Sequence, residues 1–124
     1  MPRTRPKHLD LTKIRLPLPA LVSILHRASG AALFLFLPLV LWMWQESLAS
    51  QQRFEQFRAM AAHWFVKLVL IGLIWAYLHH LCAGVRHLAL DLHIGSDLAP
   101  ARASSWAVLA VSLALTAVAG LMLW

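Results

Sequence analysis

Three apolar runs, at about 29–48, 61–90 and 105–124, take up more than half of this 124-residue chain. A helix needs roughly 20 mostly apolar residues to cross the hydrocarbon core of a bilayer, and each run meets that length. Lipid offers no partner to a backbone amide or carbonyl, so an apolar span satisfies its own hydrogen bonds as a helix or joins a closed barrel. Continuous apolar runs lack the alternation of barrel strands. The expected fold is therefore an all-α membrane protein with three transmembrane helices. With their polar ends included, the helices are expected at about 23–49, 61–91 and 103–124, after an N-terminal arm of 1–22, the whole of 1–124 forming a single membrane-anchor domain. Composition agrees: 60% of the residues are hydrophobic and only 13% charged, which leaves little chain for a soluble domain.

The net charge of +6 does not argue for nucleic acid, because Arg3, Arg5, Lys7, Lys13 and Arg15 concentrate it ahead of the first span. The next connection balances Arg53 and Arg58 with Glu46 and Glu55. By the positive-inside rule the N-terminus is cytoplasmic, and three crossings put the C-terminus on the far side. The basic lead does not read as a cleaved signal: it is long, contains Asp10, and is followed by Trp42, Met43 and Trp44 where cleavage would need small residues. Trp42, Trp44, Trp64, Trp106 and Trp124 stand near span ends, where an amphipathic ring suits the headgroup boundary, while Trp75 falls mid-span as a packing residue. Cys82 is the only cysteine, which excludes an internal disulfide and any cysteine-ligated cluster supplied by this chain alone.

Ionisable side chains at membrane depth are expensive and mark sites by default. The end of the second run reads Y-L-H-H-L-C-A-G-V-R-H-L-A-L-D over residues 77–91. At 3.6 residues per turn His80, Gly84 and His87 project from one side, and His79 and Arg86 share a neighbouring one. An imidazole one turn from a glycine offers a nitrogen to an iron and room for a flat macrocycle, so haem ligation is the first expectation. Ligands lining a proton or ion path, and a metal site of His79, His80 and His87, are the alternatives. At the mouth of the first span Ser23, His26 and Arg27 (i, i+3, i+4) form a polar patch. It suits an anionic or carbonyl group, against the plainer reading of side chains that snorkel to headgroups. Pro17 and Pro19 suit an extended lead-in followed by helix initiation. The topology puts both patches on the cytoplasmic side, with His80 about 10 Å deeper than His87.

The segment from Leu11 to Gly30, with L-T-K-I-R-L-P and then S-I-L-H-R-A-S-G, and the later H-L-C-A-G-V-R-H-L-A-L-D resemble the cytochrome b556 subunit family of bacterial succinate dehydrogenase, over essentially the whole chain. The resemblance implies one of two anchors in a helical bundle in the bacterial inner membrane. Its partners would be a flavoprotein subunit, an iron–sulfur subunit and a second small anchor, with membrane lipid around it and no nucleic acid. It implies haem b as cofactor, shared with the second anchor, with His80 as axial iron ligand and with His26 and Arg27 at the propionates. Gly84 is expected at the haem as well, from its place on the ligand's face. Ser23 and Arg27 would contact ubiquinone, and the chain would pass electrons from succinate to that quinone. The fumarate-reducing direction is the nearest alternative, and a small proton or ion transporter subunit a more distant one. His79 departs from the family's single histidine and makes the ligand's register ambiguous, and Asp91 reads either as a proton-path residue or as a solvated helix end.

Overall fold

The computed structural model describes residues 13–124, so Arg3, Arg5, Lys7 and Asp10 lie outside the described residues. Helix α1 spans Leu18–Ala49, α2 Gln51–Ala61, α3 Trp64–Asp91 and α4 Leu98–Leu123, and there is no strand among the described residues. Helices α1, α3 and α4 are long and apolar enough to cross a membrane. This is an all-α membrane protein.

The helix ends differ from the sequence expectation in ways that hydrogen bonding explains. Helix α1 starts at Leu18 instead of 23, because Pro17 serves as the cap and Pro19 falls in the first turn, where a missing amide proton costs nothing. The Pro17 carbonyl takes both the Ala20 and Leu21 amides. The stretch between the first two spans is not merely a connection. Ser50 turns the chain, its hydroxyl oxygen accepting from the Arg53 amide at 3.2 Å, and α2 follows. Arg53 reaches back to Glu46 with two hydrogen bonds of 2.6 and 2.7 Å across the break. Helix α3 consequently begins at Trp64 instead of 61, with the His63 ring accepting from the Phe65 amide. Helix α4 begins at Leu98 instead of 103, after a turn in which His93 (φ 59°) and Gly95 (φ 71°) take left-handed conformations.

The three long helices pack in alternating directions. On α1 and α3, Ser29 and Gly30 meet His80 while His26 meets His87, so rising numbers on one helix face falling numbers on the other. On α3 and α4, Arg86 meets Ala101 and Ser104. At the opposite end of the bundle the Trp124 indole donates to the Ala61 carbonyl at 3.3 Å, and the Lys67 ammonium lies 5.7 Å from the Trp124 ring centre. The contact surfaces use small residues. Ala101, Ser105, Val108, Ser112 and Thr116 form the buried stripe of α4, and Val22, Ala83 and Val108 meet at the centre with Cys82 against them. Close backbone approach is how helices associate in lipid, where apolar side chains gain nothing by leaving the solvent. The large side chains point outward instead: Phe34, Leu35, Trp44, Leu88, Leu121 and Met122 are among those exposed.

Candidate functional site

His80 stands on the α1 face of α3 and is gripped from across the helix pair. Its Nδ1 lies 3.0 Å from the His26 carbonyl oxygen, which can only accept, so the ring proton of a neutral His80 sits on Nδ1 and is donated to that carbonyl. The Ser29 hydroxyl donates to the same carbonyl at 2.9 Å and lies 3.3 Å from Nδ1. Nε2 is left with its lone pair and no hydrogen bond among the described residues. A metal-binding imidazole has this arrangement, with the far nitrogen bonded so that the tautomer and the ring plane are fixed.

His26 lies between two other imidazoles. Its ring centre is 4.4 Å from that of His80, tilted by 32°, and 6.1 Å from that of His87. Neither of its ring nitrogens has a hydrogen bond among the described residues, and Nε2 is on the side of Gly84. Ser23, His26, Arg86 and His87 line one pocket of about 290 Å³ between α1 and α3, together with Val22, Ala83 and other apolar residues. Arg86 is held from the α4 side: its Nε donates to the Ser104 hydroxyl at 2.9 Å and a terminal nitrogen to the Ala101 carbonyl at 3.2 Å. Hydroxyl, imidazole and guanidinium groups thus converge where a carbonyl or carboxylate oxygen could be bound. Arg27, placed with Ser23 and His26 by the sequence, is exposed and does not line this pocket. His87 and Asp91 approach to 4.0 Å on the exposed end of α3, a loose surface pair.

The two neighbouring histidines part company completely. His79 turns inward, is 0% exposed, and stacks on Trp75 with ring centres 5.1 Å apart. Neither of its nitrogens is bonded. Buried within this chain's own packing, it has no path to a macrocycle outside the bundle. Of the residues that the sequence register sets on two sides of α3, His80 and His87 meet His26 of α1, and Arg86 is held by Ser104 and Ala101 of α4. No three His, Cys, Asp or Glu side chains gather to hold a metal ion among the described residues, so the three-histidine metal site is not formed. Gly84 faces the His26 ring, whose Nε2 would lie 3.6 Å from a Cβ there. The glycine directly against the His80 imidazole is Gly30. Sequence reasoning missed Ser29 as a partner of His80 and Ser104 as the holder of Arg86. The only sequence signal for either was a serine at the edge of an apolar run.

Residues 1–119 match the family described as succinate dehydrogenase/fumarate reductase transmembrane subunit. Among curated relatives, the chain is 38% identical over 121 residues to the succinate dehydrogenase cytochrome b556 subunit of Coxiella burnetii, covering 97% of each chain. It is 35% identical over 111 residues to the subunit of the same name from Paracoccus denitrificans, covering 90% of this chain and 85% of that one. With the subunit of that name from Rickettsia felis it shares 31% identity over 120 residues, 97% of this chain and 90% of the relative.

Proposed function

Since the chain belongs to the family of succinate dehydrogenase and fumarate reductase transmembrane subunits, we propose that it is the haem-b-binding membrane anchor of a succinate dehydrogenase. It is a multi-pass protein of the bacterial inner membrane with a cytoplasmic N-terminus, and it carries electrons from succinate to ubiquinone. The observation that carries the reading is His80: an imidazole at membrane depth, on the face of α3 toward α1, with Nδ1 committed to the His26 carbonyl and Nε2 free. Its fit to an axial ligand rests on that tautomer, since an iron takes the unprotonated nitrogen.

Haem b, when bound, supplies a one-electron centre near the quinone. His80 would hold its iron, and a second small anchor subunit would supply the other ligand. His26 and the exposed Arg27 beside it would bind the propionates, with Gly84 against the His26 ring. Ser23 and Arg27 hold the quinone. A quinone carbonyl accepts a hydrogen bond from the Ser23 hydroxyl, and as electrons arrive its oxygen gains negative charge that a guanidinium stabilises. The electrons are taken from succinate by a flavoprotein subunit and relayed by an iron–sulfur subunit on the cytoplasmic face, since the single cysteine of this chain cannot hold a cluster by itself. The names of the relatives favour succinate oxidation over fumarate reduction.

The test is made on membranes holding the assembled complex. A reduced-minus-oxidised b-type absorption band, altered by His80→Ala, together with succinate-driven ubiquinone reduction, is the expected result. Absence of any b-type band from a complex that contains this chain would overturn the reading in favour of a transporter subunit.

A further inference from the structure

We infer that Gly30 positions the axial ligand: the side chain it lacks is the space in which the His80 imidazole lies, so that α1 aims Nε2 as much as α3 does. The inference rests on His80 being a haem ligand. A Cβ on Gly30 would lie 2.7 Å from the His80 Cε1, 3.2 Å from Nδ1 and 3.7 Å from Nε2. Carbon atoms in favourable contact are about 3.5–4.0 Å apart, so an added methyl group and the imidazole cannot both keep their places.

What yields is decided by how the ring is held. His26, Ser29 and Gly30 (i, i+3, i+4) share one face of α1, so the carbonyl that grips Nδ1 and the point where the methyl would stand belong to the same rigid turn. The ring cannot back away from Gly30 without stretching its bond to the His26 carbonyl. Either the imidazole turns or α1 and α3 move apart, and both displace Nε2. The other helical glycines have no such role. A Cβ on Gly72 or Gly120 would meet nothing within 4 Å, and one on Gly84 would make only an ordinary contact with the His26 ring. A glycine inside a helix is unfavourable relative to alanine. At position 30 the interhelical geometry requires it. Ser29 and Gly30 thus form one seat, the hydroxyl steering the shared carbonyl and the glycine admitting the ring.

The experiment compares Gly30→Ala, Gly72→Ala, His80→Ala and the double variant Gly30→Ala/His80→Ala in the complete complex. It measures haem content per complex, the reduced-minus-oxidised spectrum, the haem midpoint potential and thermal stability. Gly30→Ala is expected to lose haem or to shift the band and the potential, and Gly72→Ala to match the unsubstituted protein. In the His80→Ala background Gly30→Ala should add nothing, because the methyl no longer strikes a ring. Unchanged haem content, spectrum and potential in Gly30→Ala would overturn the inference. So would an equal loss of assembly or thermal stability from Gly30→Ala in both backgrounds, which would make the glycine a helix-packing residue. If His80→Ala leaves the spectrum untouched, the ligand assignment falls and this inference with it; if His80→Ala changes the spectrum and Gly30→Ala does not, only this inference fails.

Discussion

At the scale of single residues, adjacent histidines are separated by the 100° between successive positions of a helix. His79 is buried without a hydrogen bond, a state that costs the desolvation of its polar atoms. His79→Leu is therefore expected to equal or exceed the native thermal stability. His79→Ala, which leaves a cavity beside Trp75, should lose about 2–4 kcal/mol. Both should keep the haem spectrum, which His80→Ala should change. If His79→Leu proves as damaging as His79→Ala in thermal unfolding, the ring is hydrogen-bonded through an internal water. Quinone chemistry is tested at Ser23 and Arg27. Ser23→Ala should slow ubiquinone reduction by about 10²-fold through loss of one donor. Arg27→Leu should be more severe, if as proposed it removes a cation that would serve both quinone and propionate. In each variant, succinate oxidation with an artificial acceptor that takes electrons upstream should remain near normal. A wild-type rate and quinone affinity in Ser23→Ala would return this patch to a headgroup anchor.

Between elements, the polar contacts are few and so can be separated. Arg86 joins α3 to α4 through Ser104 and the Ala101 carbonyl, whereas the Ser112 hydroxyl bonds only to Leu109 of its own helix. Ser104→Ala should lower the stability of the complex by about 1.5 kcal/mol, the value of a hydrogen bond to a charged group. Ser112→Ala should be close to neutral, because back-bonding of a serine to its own helix adds little. Equal effects of the two substitutions in thermal unfolding would mean that Arg86 does not tie the helices. Helix α2 was not foreseen. Its eleven residues, Q-Q-R-F-E-Q-F-R-A-M-A, are mostly polar and read as a connection. What makes them helical is the Ser50 cap and the Glu46–Arg53 pair, which close a turn between two helices.

For the whole molecule, three spans with an exposed apolar girdle predict that the protein stays in the pellet after alkaline carbonate extraction. A reporter fused after Trp124 should be active only outside the cytoplasm if, as the positive-inside rule predicts, the basic residues before α1 keep the N-terminus inside. Cytoplasmic activity of that fusion would refute the orientation. Trp124 and Ala61 meet at one end of the bundle and His26, His80 and His87 gather toward the other, so the same fusion also tests which end faces the cytoplasm.

The sequence by itself determined the three spans and the division of histidines between helix faces. Span length follows from bilayer thickness, and the face a residue occupies follows from 3.6 residues per turn, both local properties of the chain. Which face met which helix was decided only by the tertiary structure. The bond from His80 to the His26 carbonyl joins residues 54 apart, and that from Ser29 to His80 spans 51. No periodicity encodes either one. For the same reason Gly84, expected to leave room for a macrocycle, lies against the His26 ring, and Gly30 is the glycine against His80. A glycine in a sequence shows that space is needed, and the neighbouring helix decides what fills it.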